Sequence, residues 1–288
     1  MSGRISKPAP AYTTAEEWKT TGYKPYDEEH PFSFTTNTVL DVMFKAVDDA
    51  VSFASATAIT DVGCGAGTLF DHLFTSPYSV LATASLIALD ISPAMLKQLR
   101  VAQDRAPTTS PWHRVQSLEC DAIAMNRIAS GSQSHVLSQM GIFLIPDHLA
   151  AVREVRRVMA LGGVFAMSAV TWSSWMNEVF LQIRFWHPGR ESRLPKIPDI
   201  WSHSSRVEAL MKEAGFDHVE IIPVNSYIPF NDPSKMIDMF WEMPFTPALT
   251  GDLTAEEVKQ LKDHYTKYVA ETYTDGKMPG KFVVIVAT

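Results

Sequence analysis

Three glycines at alternate positions follow a short apolar stretch of the chain. The stretch runs from Ala58 to Val62, and the glycines are Gly63, Gly65 and Gly67. Glycine lets the backbone turn sharply and lets a ligand approach the main chain where a Cβ would clash. Since a helix is predicted to follow, its free N–H groups and positive dipole end would face that ligand. The pattern predicts a nucleotide-like ligand at a strand-to-helix turn.

A second candidate binding residue is Asp90, which ends the next apolar stretch, beginning at Leu86. A carboxylate at a strand end can accept hydrogen bonds from both hydroxyls of a ribose. Asp90 follows the glycine loop by about 20 residues, the spacing that one βαβ unit requires. The dehydrogenase fingerprint Gly-x-Gly-x-x-Gly does not fit, because Thr68 stands where its third glycine belongs.

Together these motifs resemble those of class I S-adenosylmethionine-dependent methyltransferases. The Asp-x-Gly-x-Gly-x-Gly pattern that begins at Asp61 resembles the family's first motif, and the Asp-x-Ser-x-x-Met-Leu pattern that begins at Asp90 resembles its second strand and the helix after it. The resemblance is specific over residues 36–170. It implies an α/β fold with a Rossmann-like sheet of seven strands, helices on both faces and an inserted helical substrate cap.

The resemblance also implies S-adenosylmethionine as the cofactor. In the family an acid after the third strand meets the adenine, which implies that Asp121 accepts from the exocyclic amine and that Ala122 offers a backbone N–H. The loop after the fourth strand packs at its start on the methionine part of the cofactor, where Gln139 stands. The cofactor-binding residues predicted in this way are Asp61, Gly63, Cys64, Gly65, Gly67, Asp90, Ile91, Met95, Asp121, Ala122 and Gln139.

Methyl transfer from a sulfonium is an in-line displacement, so the protein must hold the donor carbon and the acceptor atom close, aligned and dry. An alcohol, phenol or thiol acceptor also benefits from a general base. His148 is the predicted catalytic residue, and Glu178 and His187 are further candidates; a packed or surface histidine is the competing interpretation. No metal site is predicted, because the two cysteines are far apart and form no Cys-x-x-Cys pair.

Alternating strands and helices predict a parallel sheet covered on both faces. A helix from Thr36 should bury one apolar face. Capping boxes are predicted at Ser205 with Glu208 and at Thr254 with Glu257. The predicted strands are 58–62, 86–90, 114–119, 135–139, 164–170, 218–224 and 281–287, and the other predicted helices include 67–75, 93–104, 147–159 and 205–214.

Residues 1–35 are predicted to form an N-terminal tail and lid, and residues 36–288 the methyltransferase domain, with cap segments near 171–203 and 225–280. The dense aromatic residues and methionines of the cap predict an apolar acceptor pocket; the core of the cap or a dimer contact is the alternative. Attraction to a sulfonium would favour three N-terminal tyrosines as lid residues, with packing outside the core as the alternative: Tyr12, Tyr23 and Tyr26.

The composition limits the classes of partner. The chain has 288 residues, 46% of them hydrophobic, and a formal net charge of -7. An acidic chain disfavours a nucleic-acid partner, which would want a basic face. Since the N-terminus lacks an apolar signal core and no apolar run is long enough to span a bilayer, we expect a cytoplasmic protein with no membrane partner. A monomer and a homodimer both stay open.

These features predict S-adenosylmethionine-dependent methyl transfer to a small acceptor, apolar or aromatic, at O, N, S or C, with a role in natural-product biosynthesis. The sequence Ser138-Gln139-Met140-Gly141 stands where amino- and base-methylating relatives carry an Asn-Pro-Pro-Tyr type motif, which disfavours methylation of a nucleic-acid base. Two alternatives keep the fold and the cofactor without methyl transfer: a catalyst of cyclisation or rearrangement, and a regulatory binding protein.

Overall fold

The computed structural model describes residues 31–194, 198–243 and 246–288. The predicted lid tyrosines lie outside these residues. Within them, one sheet of seven strands has the order β3-β2-β1-β4-β5-β7-β6. The strands are β1 Ala58–Val62, β2 Ser85–Asp90, β3 Val115–Glu119, β4 Gln133–Ser138, β5 Met159–Ser173, β6 Val219–Pro229 and β7 Lys277–Ala287.

The direction of the strands fixes one edge of the sheet as the binding edge. Strands β1 to β5 pair in parallel, and β7 pairs antiparallel with both β5 and β6. The chain winds outward from β1 to β2 and β3, then returns to place β4 on the other side of β1. Ligands of such sheets bind outside the carboxyl ends of the strands where the winding reverses. The crevice between β1 and β4 is therefore the expected site.

The helices of the described residues lie around this sheet. None of them is both long and apolar enough to cross a membrane. Their bounds are α1 Pro31–Ala50, α2 Thr68–Thr75, α3 Pro93–Arg105, α4 His148–Val158, α5 Ile183–Trp186, α6 Ser204–Glu213, α7 Pro233–Trp241, α8 Thr246–Thr250 and α9 Ala255–Thr272.

Two apolar cores lie on opposite faces of the sheet. One contains the buried faces of α1, α2 and α3 together with the cap, and the other contains those of α4 and α6. The predicted apolar face of α1 is confirmed, because its members are fully buried: Val39, Leu40, Met43, Phe44 and Val47. With helices on both faces and an added helical cap, the predicted fold class is confirmed.

The cap begins where β5 ends. A helical segment follows Ser173, with a π-helical turn at Trp175–Val179, and packs against α7 and α9. Phe180 lies 5.6 Å from Phe240 and 5.9 Å from Tyr265, measured between ring centroids. Because these three rings are almost completely buried against one another, they form the core of the cap.

Several local predictions need correction. The capping box at Ser205 and Glu208 is wrong: α6 begins at Ser204, and its N-cap His203 makes no side-chain capping hydrogen bond. The strand predicted at 164–170 begins already at Met159, and Gly162 and Gly163 lie in an irregular part of β5 between the residues paired with Gln133 and His135. Strands β6 and β7 are also longer than predicted, because they pair with each other through the first and last residues of the second cap segment.

The second capping box and the domain boundary have different outcomes. The Thr254 hydroxyl accepts from the Glu257 amide at 3.2 Å, and the Glu257 carboxylate accepts from the Thr254 amide at 2.8 Å, so this capping box is confirmed. The boundary expected after residue 35 falls inside α1, which begins at Pro31. The division into a lid and a domain stays a prediction.

Candidate functional site

The glycine loop lies at the carboxyl end of β1 and is tied to β2. The amides of Gly63 and Cys64 donate to the Leu89 carbonyl at 2.8 and 2.9 Å. The backbone φ angles of Gly63, Gly65 and Gly67 are 71°, 55° and 99°. Residues with a Cβ rarely adopt such angles, so the conformation of the loop requires glycine.

The three glycines differ in what surrounds them. A Cβ on Gly63 would lie 2.9 Å from the Cα of Gly141, and one on Gly67 would lie 2.5 Å from the ring of Trp112. A Cβ on Gly65 would meet no atom within 4 Å. Packing within the chain therefore accounts for Gly63 and Gly67, whereas Gly65 presents bare backbone to open space at the binding edge.

Asp90 links the end of β2 to the glycine loop. Its Oδ2 accepts from the Gly65 amide and its Oδ1 from the Ser92 amide, each at 2.8 Å. Burial raises the pKa of Asp90, and these hydrogen bonds offset part of that rise. Since each carboxylate oxygen can accept a second hydrogen bond, both can still bind a diol. The neighbouring Ile91 is half-buried, and Met95 lies buried in the first turn of α3.

Asp61 is a buried carboxylate of the site. It is 1% exposed, and neither carboxylate oxygen has a hydrogen-bond partner among the described residues. Burial, and then the charge of Asp90, raise the pKa of Asp61 well above its ordinary value. A buried carboxylate without donors is energetically costly. A ligand that carries a cation or several N–H groups would remove this cost.

Gln139 lies at the carboxyl end of β4 and is oriented by β5. The Ser168 hydroxyl donates to Gln139 Oε1 at 2.7 Å and accepts from the Met140 amide at 3.1 Å. Met140 has a φ of 54°, an uncommon conformation for a residue with a side chain. The Gln139 Nε2 group is buried and has no partner within the described part of the chain. The network thus presents an unused N–H donor.

The predicted adenine contacts follow β3. The Cys120 amide donates to the Asp90 carbonyl at 3.0 Å, which holds the chain after β3 beside the end of β2. Asp121 Oδ1 accepts from the Ile123 amide at 3.1 Å, and Ala122 is buried. The structure therefore brings Asp90 and Asp121 to the same edge of the sheet.

Cys64 fills a small space in the glycine loop. Its side chain is buried, and burial, followed by the charges of Asp61 and Asp90, raises the pKa of the thiol well above its ordinary value. The thiol stays protonated, which makes it a poor nucleophile. Across the three described ranges, no group of three or more His, Cys, Asp or Glu residues is arranged to hold a metal ion.

His148 is the first residue of α4, directly after the loop that follows β4. Its ring packs edge-on against Trp201 with 5.0 Å between centroids. Burial lowers the pKa of His148, and the nearby Ile145 carbonyl opposes this only in part. His148 Nδ1 and Trp201 Nε1 are both buried without a hydrogen bond of normal geometry to a described residue. The structure places His187 at the end of α5, in the cap.

Sequence reasoning missed three residues that hold the site together. Ser168 lies in the predicted strand 164–170, where a lone serine among apolar residues is a signal for a buried hydrogen bond. Gly141 has no predicted role beyond its place in the loop after β4, because its contact with the glycine loop joins residues far apart in sequence. Tyr273 was also missed; its hydroxyl donates to Glu178 in the cap.

The sheet order and the glycine loop at its switch point define a Rossmann-like α/β protein. A protein-family model described as a methyltransferase domain matches residues 60–167. Methyltransferase ucsB of an Acremonium species is 28% identical over 231 residues, 77% of this chain and 78% of that protein. Methyltransferase tpcH of Aspergillus fumigatus is 27% identical over 178 residues, 56% of this chain and 60% of that protein.

Solved structures share the architecture. A candidate methyltransferase of Bacillus halodurans superposes with a TM-score of 0.52 at 16% identity, over 86% of this chain and 97% of that chain. Phosphoethanolamine N-methyltransferase 2 of Haemonchus contortus, in complex with S-adenosyl-L-methionine, gives a TM-score of 0.50 at 14% identity, over 91% of this chain and 57% of that chain. At these identities the likeness concerns the fold.

The matched domain and the methyltransferase relatives agree with the motifs and the fold. The chain is a class I S-adenosylmethionine-dependent methyltransferase, and S-adenosylmethionine is its cofactor. The predicted family, enzyme class and cofactor are therefore confirmed. The roles of the individual site residues stay predictions.

Proposed function

We propose that this enzyme methylates a small apolar or aromatic acceptor beneath its cap. Asp90 would hold the ribose, Asp121 and Ala122 the adenine, and Asp61 and Gln139 the methionine part of the cofactor. The bound cofactor supplies an electrophilic methyl group. The protein's own contribution is to orient the two reactants and to exclude water from between them.

The single observation that carries the cofactor assignment is the unpartnered carboxylate of Asp61. It is buried beside a glycine loop that already leaves Gly65 open to a ligand. An α-ammonium group offers the charge and the N–H donors that Asp61 lacks. Gln139 Nε2, buried and unpaired, is the matching donor for a carboxylate of the same ligand.

The nature of the acceptor is inferred from the cap. Besides the fully packed aromatic core, half-buried apolar side chains remain on the cap and around it. Such surfaces suit an apolar or aromatic acceptor of the kind found in natural-product biosynthesis. The formal charge of -7 supports a small molecule over a nucleic acid. The half-buried members are Met176, Leu181, Phe230, Met239, Trp241 and Tyr268.

A hydroxyl or thiol acceptor would also need a proton acceptor, and we assign that role to His148. Because burial lowers its pKa, the imidazole is neutral at neutral pH. Within the described residues its Nδ1 and the adjacent Trp201 Nε1 have no hydrogen-bond partner of normal geometry, so the pair would supply an acceptor for the proton and a donor to the acceptor oxygen. A carboxylate acceptor would need neither group.

Calorimetric titration with S-adenosylmethionine and S-adenosylhomocysteine tests the cofactor assignment. We expect the wild type to bind with micromolar affinity, and Asp61→Asn and Asp90→Ala to lose about 10-fold or more, since each removes a hydrogen bond to a charged group. Asp104→Asn, on the exposed side of α3, is the matched control and should bind like the wild type. Unchanged affinity in Asp61→Asn would refute the role of that carboxylate.

An acceptor screen tests the reaction. The wild type is incubated with S-adenosylmethionine and a library of aromatic and aliphatic small molecules, and mass spectrometry detects a gain of one methylene together with S-adenosylhomocysteine. Methylation restricted to short hydrophilic metabolites would contradict the proposed acceptor class. A rearranged acceptor of unchanged mass, without S-adenosylhomocysteine, would instead support cyclisation or rearrangement.

A further inference from the structure

Three polar side chains converge in the otherwise apolar interior of the cap. Glu178 lies on the π-helical turn that follows β5, Ser174 begins the same helical segment, and Tyr273 follows α9. The Tyr273 hydroxyl donates to Glu178 Oε2 across 95 positions of sequence. The pair therefore joins the first cap segment to the second.

The burial of these polar side chains costs folding free energy. Ser174 and Tyr273 are buried, and the turn around Glu178 also buries Trp175 and Val179. Ser174 Oγ lies beside the Tyr273 hydroxyl and makes no hydrogen bond of normal geometry to a described residue. Burial, and then the hydrogen bond to Glu178, raise the pKa of Tyr273 far above its ordinary value, so its phenol remains a donor.

Glu178 has more hydrogen-bonding capacity than its neighbours use. A carboxylate can accept about four hydrogen bonds, and within the described residues the Glu178 carboxylate accepts only that of Tyr273 and forms no ion pair. Its side chain is half-buried, so the remaining capacity can be reached by a ligand. Two apolar residues in place of Glu178 and Tyr273 would close the cap at a lower cost in folding free energy.

The position of Glu178 points to the acceptor. The π-helical turn starts two residues beyond the carboxyl end of β5, at the edge of the sheet that also carries Asp61 and Gln139. Single π-helical turns occur frequently at functional sites. We propose that Glu178 binds the hydrogen-bond-donating group of the acceptor, a hydroxyl or a protonated amine on an apolar skeleton, and that Tyr273 positions the carboxylate. This inference rests on the proposed function.

Three probes of similar shape test it: phenethyl alcohol, phenethylamine and ethylbenzene. Their dissociation constants are measured calorimetrically with protein saturated with S-adenosylhomocysteine. The wild type should bind the two donors about 10-fold more tightly than ethylbenzene, as expected for hydrogen bonds to a charged group. A preference for the amine over the alcohol would identify a charged acceptor, and the reverse a hydroxyl.

The variants separate binding from a structural role. Glu178→Gln keeps the shape and can still accept from Tyr273, so it should lose the preference for donors while its affinity for S-adenosylhomocysteine stays unchanged. Tyr273→Phe should reduce the preference by less. Glu208→Gln, exposed on α6, is the matched control and should retain it.

The proposal is overturned if Glu178→Gln keeps the wild-type preference, or if the wild type binds no probe or binds all three equally. A variant with a lowered melting temperature and an unchanged preference would assign the pair to cap stability instead. Failure of the wild type to bind S-adenosylhomocysteine would contradict the cofactor assignment, which is measured separately in the same titrations.

Discussion

Gly63 and Gly141 are in backbone contact: a Cβ on Gly63 would lie 2.9 Å from the Cα of Gly141. A Cβ on Gly141 would in turn lie 2.7 Å from the Val62 carbonyl oxygen. Ser138 fixes the same junction, because its hydroxyl donates to the Val62 carbonyl at 2.7 Å and accepts from the Ile142 amide at 3.0 Å. The loops after β1 and β4 therefore hold each other in place on the two sides of the switch point.

The first prediction concerns this contact. Gly141→Ala should destabilise the protein by about 1–3 kcal/mol, because the added methyl overlaps backbone atoms that cannot move aside. It should also weaken cofactor binding, since both loops shift. Urea denaturation and calorimetry measure the two effects. If the melting behaviour and the affinity both match the wild type, the two loops are not rigidly coupled.

A substitution at Gly65 can separate the effect of backbone strain on stability from the effect of ligand contact on cofactor affinity. Gly65→Ala should cost about 1–2 kcal/mol of stability through its left-handed backbone alone, because no atom lies near the added methyl. Gly131→Ala is the matched control, since Gly131 has a φ of 66° and also has open space around it. We expect similar stability losses in both variants but a loss of cofactor affinity only in Gly65→Ala. Equal affinities would show that the ligand does not approach Gly65.

Ser168 is expected to support cofactor binding by orienting Gln139. Ser168→Ala removes the donor to Gln139 Oε1 and leaves the Met140 amide without its partner, which should cost about 1–3 kcal/mol of stability. The freed Gln139 amide should also lower the cofactor affinity. Ser168→Thr retains the hydroxyl and should restore more of the affinity than of the stability. Calorimetry and urea denaturation on both variants test this, and equal affinities in Ser168→Ala and the wild type would contradict it.

The parts of the fold that were predictable depend on local chemistry. Short apolar runs located β1 and β2, the second motif located α3, and helical spacing located the buried face of α1, because each of these signals lies within a few neighbouring residues. Local motifs located Asp61 and Asp90 for the same reason. The contacts of Gly141, Ser168 and Tyr273 bring together distant strands and helices, so no local signal in the sequence identifies their partners.

The failed capping box shows the same limit in one helix. A short 3-10 helix at Asp199–Ser202 leads directly through His203 into α6, so Ser205 already lies inside the first turn and cannot cap it. At Thr254 the extended backbone leaves the hydroxyl free to reach Glu257. The sequence pattern is the same at both sites, and the preceding chain decides which of them forms a cap.

Ser205 and Thr254 therefore allow a matched comparison of how much a helix cap contributes to stability. Thr254→Ala should destabilise the protein by about 1 kcal/mol, because it removes the cap of α9. Ser205→Ala, at an exposed position, should change stability by less than about 0.5 kcal/mol. Chemical denaturation of both variants gives the comparison. Equal effects would mean that the cap of α9 contributes nothing measurable.

The burial of His135 leads to a prediction of how stability depends on pH. It is fully buried in β4, its Nε2 lies 3.0 Å from the Val51 carbonyl oxygen, and burial lowers its pKa. The folded protein thus binds fewer protons at this site than the unfolded chain, so stability should be full above the ordinary histidine pKa of about 6.5 and fall as the pH drops below it. Asp61 has the opposite sign, since its raised pKa favours folding at acid pH.

Denaturation midpoints between about pH 7.5 and 5.5 test this through the difference between the wild type and His135→Phe. Asp61, whose pKa is raised in the folded protein, and His148, whose pKa is lowered, also contribute to the pH dependence, but they contribute alike in both proteins. His135→Phe keeps a ring against Phe53, with which His135 stacks at 5.3 Å, but cannot be protonated. The variant lacks the hydrogen bond to Val51, so it should be less stable than the wild type at the upper pH. Its stability should also decline less toward the lower pH. Identical slopes for the two proteins would mean that His135 does not titrate on unfolding in this range.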